Sequence, residues 1–352
     1  MGLFLVAWAV AWTVACSRLP YEAAAGDPDL RVAPADLSRP GQTPDSGLGA
    51  ARDWNALPAV VQLDTAEDVY ALGDIHADYD RLVALLLTYQ LLAEAPARPE
   101  AAQWKAGPAV LVVTGDLIDK WNQGLKVLAL LQALRDSASA AGGRVIVTLG
   151  NHEAEFLADP NADKVVEFKM ELQAAGMSAD DVAAGRHPLG AYLRGLPAAA
   201  RVRDWFFCHA GNTAGRTMAS LIADIQSGVD AEGFETAALL DPDSLLEARV
   251  DPTPWWERKG DPMGTLSLYA QALGVAHIVM GHQPGSYVFS DGSKRFKGMM
   301  FQRFGILFMT DVGMSQGIKY SQGALLRIRT KGGTTTATAL YADGTRTQLW
   351  QG

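Results

Sequence analysis

Short apolar runs in this chain end in a glycine or cysteine that polar side chains follow at once. Runs of this kind are typical of strands buried on both faces. Four of the six histidines lie in the loops after these runs, which random placement would rarely produce. The five loops are Gly73-Asp74-Ile75-His76, Gly115-Asp116-Leu117-Ile118-Asp119, Gly150-Asn151-His152-Glu153, Cys208-His209-Ala210-Gly211 and Gly281-His282. We therefore expect a site built from loops at the carboxyl ends of strands.

Helical periodicity between the runs predicts an α/β domain. Leu82, Leu85, Leu86 and Tyr89 recur at the i, i+3, i+4, i+7 spacing of a helix, and residues 122–140 carry leucines at similar spacing. The segments 154–200 and 212–262 are predicted to be mainly helical insertions that cap the site. Residues 325–330 and 334–341 alternate as antiparallel strands do.

The net charge of the chain limits the kinds of partner that it can bind. The chain has 352 residues, of which 49% are apolar, so it can bury a large core. Its 30 basic and 39 acidic residues give a net charge of −9, which argues against a broad grip on nucleic acid or anionic lipid. We expect no nucleic-acid partner.

The five loops offer mixed oxygen and nitrogen ligands. Carboxylate, amide and imidazole groups together suit a pair of divalent or transition metals, whereas calcium or magnesium would favour oxygen alone. A single Gly-Asp-x-His is weak evidence, because glycine and aspartate also form turns for backbone reasons. All five loops in order, each after an apolar run, predict a metal site.

This series of loops resembles the calcineurin-like metallophosphoesterases, in particular the phosphoprotein phosphatase branch. The resemblance covers residues 68–330. The segments Asp311-Val312-Gly313-Met314-Ser315 and Pro254-Trp255-Trp256-Glu257-Arg258 are similar to motifs of the bacterial Shewanella-like protein phosphatases. Phosphodiesterases of this fold often end in Gly-His-x-His, but Pro284 occupies the last position here. The resemblance implies a β-sandwich flanked by helices, in four αββα layers, with helical cap insertions.

The family pattern implies two metal ions, each manganese, iron or zinc. It also implies that a hydroxide shared by the metals attacks phosphorus in line. Asp116 would bridge the two metals. The first metal would be bound by Asp74, His76 and Asp116, and the second by Asp116, Asn151, His209 and His282.

The resemblance also implies a catalytic pair. His152 would protonate the leaving alkoxide, and Asp119 would orient its ring. The alternative for Asp119 is a helix cap. Glu153 is expected to act through its neighbours, and Asp311 either orients a metal ligand or satisfies a turn.

The phosphate-binding segment departs from the family. Where the family usually has Asp-Arg-Gly, this chain has Asp119-Lys120-Trp121. Lysine keeps the charge but loses the two-point contact of a guanidinium. The predicted substrate-binding residues are Lys120, Arg258 and Asn151, with Arg258 supplying the missing guanidinium. The alternatives are an exposed surface charge for Arg258 and cap packing for the two tryptophans before it.

The first sixty residues have a different composition from the rest. Residues 3–15 are uncharged and mostly apolar, which is too short for a membrane span and typical of a signal peptide. They lead into Thr13-Val14-Ala15-Cys16, which resembles a lipobox and implies lipidation of Cys16. Residues 17–60 contain six prolines and no apolar period, which predicts a disordered tether.

These features predict three parts: a signal peptide (1–16), a tether (17–60) and a catalytic domain (61–352). The expected location is extracytoplasmic, as a periplasmic lipoprotein held to the membrane only by its lipid; a plain signal peptide or short anchor is the alternative.

The expected activity is removal of phosphate from a phosphorylated protein or a small phosphoester. One alternative is a nucleotide or diadenosine polyphosphate hydrolase, in which the tryptophans stack a base. Another is a metal-dependent binding module without strong catalysis.

Overall fold

A computed structural model of the chain describes residues 52–352. The predicted signal peptide, Cys16 and the tether up to residue 51 lie outside the described residues. Within 52–352, no helix is both long enough and apolar enough to cross a bilayer.

Two six-stranded mixed sheets form the centre of the domain. In order across it, the first sheet contains β1 (Val60–Leu63), β5 (Ala199–Val202), β6 (Trp205–Cys208), β7 (His277–Met280), β11 (Leu307–Met309) and β10 (Phe301–Arg303). The second contains β14 (Arg346–Gln351), β13 (Thr334–Tyr341), β12 (Ala324–Lys331), β2 (Val69–Leu72), β3 (Val110–Val113) and β4 (Arg144–Val147). A hairpin pairs β8 (Tyr287–Val288) with β9 (Lys294–Arg295).

Three of the five strands that carry the predicted loops are completely buried. Every residue of β3, β6 and β7 is buried, because the faces of both sheets are covered. β2, β3 and β4 run parallel, as do β6 and β7, so their carboxyl ends lie at the same edge of each sheet. Buried side chains of both sheets belong to one continuous core. The predicted α/β sandwich is confirmed.

Helices flank the sheets and cover the predicted loops. Asp78 begins the first helix, since its side chain accepts a hydrogen bond from the backbone of Arg81. The helices are α1 (Tyr79–Thr88), α2 (Gly124–Ala140), α3 (Asn151–Ala158), α4 (Val166–Ala174), α5 (Ala179–Ala183), α6 (Pro188–Arg194), α7 (Met218–Glu232), α8 (Ala237–Leu240) and α9 (Pro262–Leu273). Single 3-10 turns occupy Pro99–Ala101, Asp163–Val165 and Gly233–Glu235.

The second cap insertion is less helical than the sequence predicted. α7 and α8 occupy residues 218–240, but residues 241–261 form turns and bends. Charged side chains interrupt any apolar stripe in this stretch, so its backbone follows tertiary contacts instead. The turn segment lies over the candidate site.

The predicted end of the tether at residue 60 needs correction. Arg52 donates hydrogen bonds to the carbonyl oxygens of Arg194 and Leu196, at 2.7 and 3.0 Å. The indole of Trp54 donates to the carboxylate of Asp230 at 3.0 Å. Residues 52–60 are therefore part of the folded domain.

Candidate metal centre

The loops after β3 and β4 lie in direct contact with each other. A Cβ on Gly115 would lie 2.2 Å from the backbone nitrogen of Gly150, and a Cβ on Gly150 would lie 2.1 Å from Oδ1 of Asp116. Gly115 also has a φ of 89°, which disfavours any side chain. The two glycines are therefore required for Asp116 and Asn151 to approach each other.

Five predicted site residues adopt the left-handed backbone conformation. Their φ angles are 46° for His76, 52° for Asp116, 60° for Asp119, 63° for Lys120 and 67° for His282. Non-glycine residues rarely adopt positive φ, and such strain persists where the surrounding structure over-determines it, often at functional sites. The concentration of strain in these loops marks them as the functional part of the domain.

His76 presents one free nitrogen to two carboxylates. Its Nδ1 lies 3.1 Å from the carbonyl oxygen of Ile118, which can only accept, so Nδ1 carries the proton. Nε2 then faces Asp116 Oδ2 at 3.4 Å and Asp74 Oδ2 at 3.8 Å. Burial lowers the pKa of His76 to about 4, so the ring is neutral at neutral pH. This is the arrangement that the predicted first metal requires.

His209 lies among hydrogen-bond acceptors. Its Nδ1 donates to the carbonyl of Thr114 at 2.8 Å, so its Nε2 is the free position. Nε2 lies 3.0 Å from Asn151 Oδ1, 3.0 Å from His282 Nδ1 and 3.4 Å from Asp116 Oδ1. A proton on Nε2 could be donated to only one of these atoms, whereas a metal ion could be bound by several of them at once. The donor set fits the predicted second metal.

The electrostatics around Asp116 also favour a cation. Burial raises the pKa of this carboxyl, but the neighbouring rings of His209 and His152 outweigh burial and hold the pKa well below its usual range. Burial lowers the pKa of His209, but the charge of Asp116 outweighs burial, so the pKa of His209 lies above its usual value. Asp116 is thus ionised between the two groups of ligand atoms, where a bridging ligand would lie.

Asp74 behaves differently from Asp116. Burial, followed by the charges of Asp311 and Asp116, raises the pKa of Asp74 well above its usual range. Both oxygens of Asp74 accept a hydrogen bond from the backbone N–H of His282, at 2.9 and 3.1 Å. This contact joins the loop after β2 to the loop after β7 across the two sheets.

His152 and Asp119 form a buried pair. His152 Nδ1 lies 3.0 Å from Asp119 Oδ2, and the other oxygen of Asp119 accepts from the backbone N–H of Phe168 in the first turn of α4. Asp119 therefore contacts the imidazole and also accepts from the first turn of α4. It does not cap the helix that follows it in the sequence, since α2 begins after Gln123 without a side-chain cap. Burial lowers the pKa of His152, but Asp116 and Asp119 outweigh it and raise the pKa to about 9.

Glu153 supports the loops rather than facing the site. Its carboxylate accepts from the backbone N–H groups of Asp116, Leu117 and Gly150, at 2.9, 2.8 and 2.8 Å. The side chain is fully buried. Since these donors belong to the loops after β3 and β4, Glu153 holds the two loops together.

The two predicted cationic phosphate-binding residues, Lys120 and Arg258, differ in their position and in their partners. Lys120 is exposed, and its charge acts on both His76 and His152, so it lies near the centre. Arg258 instead donates to the carboxylate of Asp243.

The two tryptophans are packing residues. Trp256 is completely buried, and Trp255 is 4% exposed and stacks on Tyr269 with a ring separation of 5.6 Å. Neither offers an exposed face on which a base could stack, so the suggestion that they contact substrate is wrong.

Three functional candidates were absent from the sequence prediction. Glu247 accepts from Asn151 Nδ2 at 3.1 Å, which turns the amide oxygen of Asn151 toward His209. Arg249 lies two residues further along, and both side chains line one cavity together with Arg258. Arg295 is fully buried and donates to the carbonyl oxygens of Gln283 and Asp311. No local pattern distinguishes these side chains from surface charges.

The comparison with protein families agrees with this geometry. The model for calcineurin-like phosphoesterases matches residues 68–298, which is most of the described chain. The chain belongs to the calcineurin-like phosphoesterase family. All five loops fall inside the matched region, and only the late Asp311 segment lies beyond it, so the family assignment and the candidate centre concern the same residues.

Individual relatives align with shorter stretches of this chain. Shewanella-like protein phosphatase 2 of Arabidopsis thaliana is 27% identical over 110 residues, which is 31% of this chain and 27% of the relative. A symmetrical bis(5'-nucleosyl)-tetraphosphatase of Psychromonas ingrahamii is 34% identical over 89 residues, or 25% of each chain. The chain thus spans about a quarter of the length of these curated relatives.

A solved structure shows the same fold. The crystal structure of a cold-active protein-tyrosine phosphatase of a psychrophilic Shewanella species superposes with a TM-score of 0.64, covers 89% of each chain and is 20% identical. The predicted resemblance to calcineurin-like enzymes and to Shewanella-like phosphatases is confirmed.

Proposed function

We propose that this member of the calcineurin-like phosphoesterase family hydrolyses phosphomonoesters with two bound metal ions. The observation that carries the proposal is the set of acceptor atoms around His209 Nε2, three of them within 3.4 Å, beside the His152–Asp119 pair. Metal bound at such a centre supplies Lewis acidity toward phosphate oxygens and lowers the pKa of water. Manganese, iron and zinc all suit these ligands.

The residues of the chain have separate roles in the proposed reaction. Asp74, His76, Asp116, Asn151, His209 and His282 hold the metals in the proposal. His152 Nδ1–H donates to Asp119, so Nε2 is the nitrogen that would present a proton to a leaving oxygen. Asp119 stabilises the imidazolium and fixes the ring's orientation.

We propose a phosphorylated protein or small phosphoester as the substrate class. The similarity to a Shewanella-like protein phosphatase supports this choice. The rival is a dinucleoside polyphosphate, which the similarity to a bis(5'-nucleosyl)-tetraphosphatase supports. Burial of Trp255 and Trp256 removes the aromatic surface that the rival was expected to use.

Metal-dependent turnover by the full chain is the first test. The protein is stripped with chelator, given manganese, zinc or iron, and assayed with p-nitrophenyl phosphate, with Asp116→Asn as the inactive control. Metal-restored turnover that Asp116→Asn lacks is the expected result. A folded wild type that no metal activates would contradict the proposal and favour a binding module.

Substrate preference is the second test. Phosphopeptides and diadenosine tetraphosphate are compared by kcat/KM on the same metal-loaded protein. We expect the phosphopeptides to be preferred, and a strong preference for the dinucleotide would replace the proposed substrate class with the rival.

We also propose that the protein acts outside the cytoplasm and is anchored by lipid at Cys16. The support is the apolar run of residues 3–15 and the lipobox-like sequence that ends at Cys16.

A further inference from the structure

We propose that Arg249 supplies the guanidinium that binds the substrate's phosphate group beside the second metal position, in place of the predicted Arg258. The inference rests on the proposed phosphatase function, because it names a substrate-binding residue of the same site. Arg249 lies in the turn segment between α8 and α9, on a cavity of about 580 Å³.

The segment around Arg249 is held next to one predicted metal ligand and next to the residue that follows another. On one side, Glu247 accepts a hydrogen bond from the amide of Asn151 at 3.1 Å. On the other, the N–H of Val250 donates to Gln283 Oε1 at 3.3 Å, and Gln283 directly follows His282. Residues 247–250 are therefore fixed beside both Asn151 and His282, and Arg249 lies between the two anchor points.

The guanidinium of Arg249 is close to the centre and has unused donors. Its nearest carboxylate is Glu247, with Arg249 Nη2 to Glu247 Oε2 at 3.8 Å, which is too long for a hydrogen bond. Among residues 52–352, Arg249 donates no hydrogen bond, and its side chain is 55% exposed.

The other cations on this cavity are already engaged. Arg258 donates to the carboxylate of Asp243, and Lys164 donates to Glu155. Binding phosphate through either would first require breaking an ion pair. The ion pair of Arg249 with Glu247 is longer, at 3.8 Å, and has no hydrogen bond, so less is lost when Arg249 binds phosphate. Its planar fork also offers the two-point contact that Lys120 lacks.

The test measures phosphate binding as well as turnover. Inorganic phosphate is titrated into the manganese-loaded full chain by calorimetry, for wild type, Arg249→Gln and Arg258→Gln. Loss of a charge-assisted contact predicts that Arg249→Gln weakens phosphate binding by about tenfold or more, with bound manganese unchanged. Arg258→Gln is expected to show a smaller loss. Arg186→Gln, whose side chain is 53% exposed and paired with Asp181 on the cap surface, is the matched control.

Arg249→Lys separates charge from geometry. We expect it to retain part of the phosphate affinity and to raise KM for p-nitrophenyl phosphate less than Arg249→Gln does. Phosphate binding by Arg249→Gln equal to wild type, or a larger loss in Arg258→Gln, would overturn the inference.

The binding measurement also distinguishes this inference from the proposed function. A wild type that binds phosphate through Arg249 without hydrolysing esters contradicts the function and leaves the inference standing. Wild-type turnover that Arg249→Gln retains in full, with unchanged KM, supports the function and overturns the inference.

Discussion

His152 Nδ1 lies 3.0 Å from Asp119 Oδ2, and both side chains are buried beside the ionised Asp116. The two carboxylates outweigh burial and raise the pKa of His152 to about 9. The ring is thus held in its protonated form through neutral pH, which is the form that a general acid needs. The same Asp119 caps α4, so the position of the pair depends on the first cap insertion.

Asp119→Asn should shift the pH dependence of turnover. Removing this carboxylate lowers the pKa of His152, so the protonated ring is lost at lower pH and the alkaline limb of kcat/KM moves toward neutrality. The measurement is the kcat/KM profile with phosphopeptide between about pH 5 and pH 10. Asp136→Asn, whose side chain is 78% exposed on α2, is the control. An alkaline limb at the wild-type position would contradict the pairing.

His152→Asn should affect substrates according to their leaving group. An alkoxide leaving group needs a proton, so kcat for a phosphoserine peptide should fall about 10²- to 10⁴-fold. p-Nitrophenolate leaves without a proton, so the loss with p-nitrophenyl phosphate should be much smaller. His187→Asn, at the cap of α6, should leave both substrates unaffected. Equal losses with the two substrates would argue for a metal-ligand role of His152 instead.

Asp116→Asn should abolish turnover and reduce bound metal. Asp116 lies within reach of both groups of ligand atoms, 3.4 Å from His76 Nε2 and 3.4 Å from His209 Nε2. A neutral amide loses the charge that makes this position attractive to two cations. Metal is counted by mass spectrometry after dialysis. A variant with full metal content and full activity would exclude the bridging role.

Glu153→Gln should destabilise the domain. A glutamine amide accepts through one oxygen only, and its NH₂ would face backbone donors such as the N–H of Asp116 and of Gly150. The expected loss is about 1–3 kcal/mol in the free energy of unfolding. Denaturant unfolding of the chelator-stripped protein measures it, with the exposed Glu167→Gln for comparison. Stability equal to wild type would show that these hydrogen bonds contribute little.

Cys16→Ala should release the protein from the membrane fraction. Lipid on Cys16 is the proposed anchor, so its loss should move the protein to the soluble extracytoplasmic fraction. Cys208→Ala is the matched control, since Cys208 is a free, buried thiol at the carboxyl end of β6. Membrane fractionation of Cys16→Ala identical to wild type would reject lipid anchoring.

The agreement between sequence and structure is closest at the central strands. β2, at Val69–Leu72, and β6, at Trp205–Cys208, occupy the residues that the apolar runs predicted. β1, β5 and β14 were not predicted, because none of them has a continuous apolar run; Arg201 interrupts β5. β1 and β14 are edge strands, which gain their hydrogen bonds from one neighbour, and a local pattern does not encode that pairing.

The amino-acid sequence alone determined which residues are proposed to bind metal, because strand ends and glycine turns are local features and the six proposed metal ligands follow them directly. Only the tertiary structure decided how those ligands are supported. Asn151 is oriented by Glu247, 96 residues away, and Arg258 is paired with Asp243 while Arg249 keeps its donors unused. Hydrogen bonds and ion pairs between distant residues depend on how the cap folds over the sheets, and residue spacing does not contain that geometry.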